Sequence, residues 1–199
     1  MEKLLLYIKH HLGFLWKAIE WGNGILFDRL YKQRLFRILP GVFMDFTLEP
    51  FTFRRLVISD AERLYTLIHM QNATEIEFFR PHGMDMKTIK KQFNNRAFLM
   101  MGVFDRDDLI GYFFLRFFCN RKCFVGRLID TRYRGKGIGI VMNQIMYEIA
   151  WRMSFRCLST ISRNNKLVMH AHEKNSKMKV LKELRNDFLL VEFVNTKDE

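Results

Sequence analysis

Along residues 1–39, Leu4, Leu5, Ile8, Leu12, Leu15, Trp16 and Ile19 recur at spacings of three and four, and Ile25, Leu26 and Leu30 continue the rhythm. That period lays apolar side chains along one face of a helix, and it predicts two amphipathic helices. Gly22-Asn23-Gly24 is expected to separate them and Pro40-Gly41 to end the second. Residues 45–50 read as the connection into the rest of the chain. There the pattern shifts toward alternation: 51–57 reads as a strand, and Ser59-Asp60 offers an N-cap to a helix over 61–70. A loop over 75–84, with Phe78, Phe79, Arg80, Pro81 and His82, suits a substrate wall, and a short helix over 86–94 follows. Residues 98–104 and 109–118 flank Asp105-Arg106-Asp107-Asp108 and predict a hairpin, with a third strand over 123–129. A helix over 140–153 buries Ile140, Val141, Ile145, Ile149 and Met153. Its crossover suits a strand over 157–162 lying parallel to 123–129. Residues 178–184 and 188–194 form a closing hairpin around Arg185-Asn186-Asp187.

Between the third strand and the long helix stands Arg132-Tyr133-Arg134-Gly135-Lys136-Gly137-Ile138-Gly139. Glycines let backbone N–H groups approach an anion closely, and a helix N-terminus beside them adds a favourable dipole. A Walker loop, Gly-x-x-x-x-Gly-Lys-Ser/Thr, is absent, and the alternating glycines do not make the dinucleotide fingerprint Gly-x-Gly-x-x-Gly. Arg/Gln-x-x-Gly-x-Gly/Ala fits as Arg134-x-x-Gly137-x-Gly139, and here the chain resembles the GNAT superfamily of acyl-CoA N-acyltransferases. Two further stretches support the resemblance. Arg54 and Asp60 match the opening strand and first helix, and Asn165, Val168 and His172 match the start of the fourth helix. In that last pattern Val168 replaces a small residue and His172 the usual Tyr, while Ser176-Lys177 replaces a common Gly-Phe.

The resemblance covers residues 50–194. It implies an α/β fold with a mixed, mostly antiparallel sheet, splayed between its fourth and fifth strands and flanked by helices. An N-terminal helical extension over 1–48 would precede a GNAT-like domain over 49–199. It also implies acetyl-CoA as acyl donor and direct transfer to a primary amine. The coenzyme would meet Ile129 and Thr131 with its pantetheine arm, and Arg134, Gly135, Lys136, Gly137, Ile138 and Gly139 with its pyrophosphate; Asn165 joins the cofactor set. His172 stands where the family's acidic Tyr stands, and an imidazolium with a pKa of about 6.5 can protonate a departing thiolate. Glu75 and His82, in the expected substrate loop, are candidate bases. Cys123 occupies a position where some members carry Glu, and it reads as a core residue. The alternative reading is a catalytically weak or inactive acyl-CoA-binding protein of the same fold.

Composition narrows this only a little. Hydrophobic content of 49% with 20 Phe argues for a packed globule. Lys+Arg at 33 against Asp+Glu at 21 leaves +12, which favours anionic partners: coenzyme A itself, an anionic amine acceptor such as an amino sugar on a nucleotide, or anionic lipid. Nucleic acid is not expected, since no reader motif accompanies the charge. Cys119, Cys123 and Cys157 show neither disulfide nor zinc spacing, so a reducing, cytoplasmic setting and no metal are expected. No signal peptide or membrane-spanning run is read from the pattern. Residues 1–40 admit peripheral contact with the inner face of a membrane or packing on the protein's own body, and a homodimer is compatible.

Overall fold

The computed structural model describes residues 13–79, 81–173, 175 and 177–195. The expected helical apolar residues before Gly13 lie outside them. Helix α1 (Gly13–Leu30) runs through Gly22-Asn23-Gly24 without a break, contrary to the sequence expectation. Glycine in a helix interior costs about 1 kcal/mol, but Asn23 offsets it by bonding the sheet: its Nδ2 donates to Phe117 O at 3.0 Å and its Oδ1 accepts from Cys119 N–H at 2.9 Å. The break falls at Tyr31, before α2 (Lys32–Asp45), which continues past Pro40. An interior proline costs about 3 kcal/mol. Burial of Leu35, Leu39 and Val42, at about 2 kcal/mol each, outweighs it.

The remaining elements are β1 (Thr52–Arg55), α3 (Ala61–His69), α4 (Ala73–Ile76), α5 (Met86–Phe93), β2 (Phe98–Asp105), β3 (Asp108–Phe118), β4 (Lys122–Ile129), α6 (Ile138–Arg152), β5 (Arg156–Ser162), α7 (Lys166–Glu173), β6 (Met178–Glu183) and β7 (Phe188–Phe193). The expected loop over 75–84 thus begins inside α4. Asp60 does not cap α3 with its side chain. Its buried carboxylate instead takes both arms of the Arg54 guanidinium, at 2.7 and 2.8 Å, and the Val57 N–H at 2.9 Å. Two charge-assisted bonds in a bidentate fork are stronger than one cap bond, so the side chain turns toward Arg54.

All seven strands form one sheet in the order β1-β2-β3-β4-β5-β7-β6, antiparallel throughout except between β4 and β5. One face packs against α1, α2 and α6 through residues such as Phe27, Leu39, Phe117, Ile145 and Ile149. The other packs against α3 and α5 through Leu64, Ile68, Ile89, Met100 and Tyr112. The parallel ladder of β4 and β5 holds only at Lys122 with Arg156, Cys123 with Cys157 and Phe124 with Leu158. At the next position Ser159 Oγ donates to Val125 O at 3.1 Å, a side chain standing where the backbone bond would be. Beyond it β4 stays paired to β3 and β5 to β7, and the sheet opens.

Candidate active site

The opening is a cleft of about 640 Å³, walled by residues 125–129 of β4 and 159–162 of β5, with the glycine loop and the start of α6 at one end and α7 beside it. The outer edge of β4 here has lost its strand partner, so its backbone groups are free to bond a ligand chain. Gly137, at φ 80°, is the N-cap residue of α6, and Gly135 has φ 77°. Both lie in the left-handed region that a Cβ disfavours. The turn leaves the N–H groups of residues 135–139 without acceptors among the described residues. At Gly139 the lack of a side chain makes room for Arg127: a Cβ there would stand 2.8 Å from Nη1, and the guanidinium would have to move aside.

Arg127 is the cation inside this cleft. Its Nε donates to Asn143 Oδ1 at 2.9 Å, and no described carboxylate pairs with it. Burial pushes its pKa down, though a guanidinium stays charged. Gly139, Asn143 and Tyr147 follow one another at four-residue spacing, hence on one face of α6. The Tyr147 hydroxyl is buried and makes no well-formed hydrogen bond, its polar neighbour being the Asn175 side chain, and burial keeps the phenol protonated. His172, only 6% exposed, packs on Phe193 at 5.2 Å between centroids, and its Nδ1 faces Asn175 Nδ2 at 3.2 Å. With that amide donating, Nε2 carries the imidazole proton. Burial first, and the Arg127 charge second, lower the His172 pKa to about 4. The ring is therefore neutral at pH 7, unlike the imidazolium expected from sequence.

No family model and no curated protein matches the sequence. Solved structures do match. The N-acetyltransferase PaiA from Thermoplasma acidophilum, in complex with coenzyme A, is 19% identical, with a TM-score of 0.60 over 73% of this chain and 99% of that one. The chain has the GNAT fold. The spermidine N-acetyltransferase SpeG from Vibrio cholerae superposes at a TM-score of 0.58 with 17% identity, over 76% of this chain and 100% of its own. RimL, an α-N-protein acetyltransferase for ribosomal L7/L12, gives 0.57 with 14% identity, over 73% and 88%. The splayed sheet, the glycine loop and the helix behind it are therefore features of a GNAT fold reached at low sequence identity.

Within this GNAT fold, Ile129, Arg134, Gly135, Gly137, Ile138, Gly139, Asn165 and His172 line the cleft. Asn165 caps α7, its Oδ1 accepting from Val168 N–H at 3.1 Å. Thr131 and Lys136 do not line it. Thr131 opens a single 3₁₀ turn, and Lys136 Nζ lies over the Tyr133 ring at 4.7 Å. Arg132, outside the cleft lining, is bound to Asp130 at 2.6 Å. The backbone of Glu75 lies in α4, and its side chain is outside the described residues. His82 is held away from the cleft lining: its Nδ1 bonds Gly83 O at 2.8 Å and its Nε2 bonds Tyr112 OH at 3.0 Å. A carbonyl accepts only, so Nδ1 carries the proton and Nε2 accepts the phenol's. Its one basic nitrogen is thereby occupied.

Sequence reasoning missed Arg127, Asn143, Tyr147 and Ser159. Strand alternation puts Arg127 on the same side as Ile129, and a charge in an otherwise apolar strand was the available sign. Asn143 and Tyr147 follow Gly139 at helical spacing, a pattern that means something only once Gly139 is known to face the cleft. Nothing in the sequence marks Ser159. Cys123 and Cys157 are buried neighbours, and burial pushes the Cys157 thiol well up, which leaves it inert.

Proposed function

We propose that this protein is an acetyl-CoA-dependent N-acetyltransferase, with its catalytic domain over 49–199 and a primary amine bearing an anionic group as acceptor. The open edge of β4, ending at the free N–H groups of residues 135–139, is the observation that carries the reading. A coenzyme A thioester fits it: an extended arm of amides for the strand edge, a diphosphate for the helix N-terminus, and negative charge for the Arg127 guanidinium. When bound, the thioester supplies an acyl carbon activated toward amines. The residues around it do the rest. Residues 135–139 and Arg127 hold the phosphates, and the β4 edge around Ile129 orients the arm. The Tyr147 hydroxyl gains a well-formed hydrogen bond.

The new C–N bond forms as the C–S bond breaks, the amine gives up a proton, and the thiolate takes one. In the free protein His172 is neutral and a poor acid. An anion on Arg127 removes part of the repulsion that lowers it, so its pKa rises, while burial, the larger cause, still holds it below the ordinary value. The imidazolium fraction, small at neutral pH, is then the acid that can protonate the thiolate.

The acceptor class follows from charge. The cleft lining contains Arg127, Arg134, Lys166 and His172 but no Asp or Glu with a described side chain. Thr74, Phe78, Phe79 and Gly126 add an uncharged, partly aromatic wall. A polyamine finds no described carboxylate there, whereas Lys166, not assigned to the coenzyme, offers complementary charge to an amine on a phosphorylated or carboxylated molecule.

A second reading, coenzyme binding without turnover, is favoured by one observation: no described carboxylate in the cleft can serve as base. Calorimetry with acetyl-CoA, followed by thiol release across amines including amino-sugar nucleotides, phosphorylated amines, peptides and spermidine, separates the readings. Micromolar binding, lost in Gly137→Val, with turnover of an anionic amine is the expected result. Binding without turnover of any amine selects the second reading. Failure of acetyl-CoA to raise the melting temperature overturns both.

A further inference from the structure

Helix α1 is mounted with its polar side inward. Glu20 pairs with Arg116, Asn23 bonds the backbone of Phe117 and Cys119, and Asp28 pairs with Lys32 at 2.6 Å and Arg96 at 3.6 Å. Phe27 is the only large apolar side chain of α1 buried in the core among the described residues. At about 100° per residue, the opposite arc covers roughly half the helix circumference. On it stand Phe14, Leu15, Ile19, Trp21, Leu26 and Leu30, all exposed, Phe14 by 80% and Trp21 by 72%. An amphipathic helix that belongs only to a globule turns such an arc toward the core. Here the polar side already fastens the helix, and the apolar side is left for something else.

The charges say what. Arg29 stands near the middle of the apolar arc, and it is not paired among the described residues. Both described acids of α1 are already paired, Glu20 with Arg116 on the sheet and Asp28 with Lys32 and Arg96. The charge inside the apolar arc is therefore the single cation of Arg29. A second copy would meet it badly, since isologous pairing brings the same cation from both sides with no free acid of α1 to answer it. No described helix is long and apolar enough to cross a membrane, so a lipid contact lies along the surface. We propose that α1 docks this protein on an anionic phospholipid surface, its apolar arc entering the interfacial layer and Arg29 meeting headgroup phosphates.

The proposal stands apart from the acetyltransferase reading, and its test does not use activity. Full-length protein is sedimented with vesicles of phosphatidylcholine alone or with phosphatidylglycerol added, and its oligomeric state is read by light scattering. Co-sedimentation with the anionic vesicles is expected, reduced roughly tenfold by Leu26→Glu and also by Arg29→Glu. Both positions are exposed, and an unchanged melting temperature confirms that the variants fold. Protein that stays in the supernatant with both vesicles overturns the proposal, as does equal binding to neutral ones. A dimer that Leu26→Glu converts to monomer, without vesicle binding, assigns the arc to self-association and likewise overturns it.

Discussion

Arg127 organises the cleft chemically. Its charge lowers the His172 pKa, its guanidinium fills the space a Cβ on Gly139 would need, and Asn143 holds its Nε. Replacing it with Gln removes the charge that helps lower His172, so the imidazole pKa rises above about 4 in the free protein, as an NMR titration will show. The same variant should weaken acetyl-CoA binding by roughly tenfold, the size of one lost charge-assisted bond. Tyr147→Phe separates structure from ligand binding. Removing a buried hydroxyl that makes no well-formed hydrogen bond should leave the free protein as stable or about 1 kcal/mol more stable, while the thermal shift produced by acetyl-CoA shrinks. A variant that keeps the full shift would show that the hydroxyl meets no ligand atom.

Among the elements, the placement of α1 and the opening between β4 and β5 were the least legible in sequence. Gly22-Asn23-Gly24 has the composition of a breaker, yet Asn23 reaches the backbone of Phe117 and Cys119 and fastens the helix to the sheet. Asn23→Ala should destabilise the protein by about 1–2 kcal/mol for the two lost bonds, measured by denaturant melts, and should detach α1 before the sheet melts. The strands were easier, because β2, β3 and β4 are joined by tight connections at 105–108 and 118–122 that leave few alternatives to antiparallel pairing. Where β4 and β5 part is a matter of which neighbour each follows, β3 or β7, and neither strand's own residues declare it. The helix behind the loop begins at Ile138, two residues before its periodicity suggests, because Gly137 at φ 80° starts the turn.

For the whole molecule, acid should be the weak side. His172 and His82 are buried, burial being the largest cause of their lowered pKa values. The unfolded chain takes up a proton near about pH 6.5 that the folded His172 refuses until about pH 4, so stability falls as pH drops through that window. Asp60, Asp130 and Glu192 are held low by Arg54, Arg132 and Arg156 and add a further loss below about pH 4, where the unfolded carboxylates protonate. Urea melts should therefore show stability about 2 kcal/mol lower at about pH 5 than at about pH 7 from His172 alone. His172→Gln should flatten that slope. An unchanged slope would mean that His172 titrates normally in the folded protein.

Taken alone, the sequence determined the order of the main strands and helices and the glycine turn between β4 and α6. Each is a local matter of periodicity, backbone freedom or short spacing, and each is written within a few consecutive residues. Tertiary structure alone decided that Arg127 faces Gly139, that His172 is buried enough to lose its charge, that His82 is tied to Tyr112, and that α1 turns its apolar arc outward. These depend on partners far along the chain, where burial and the field of distant charges, rather than residue type, set what a side chain does.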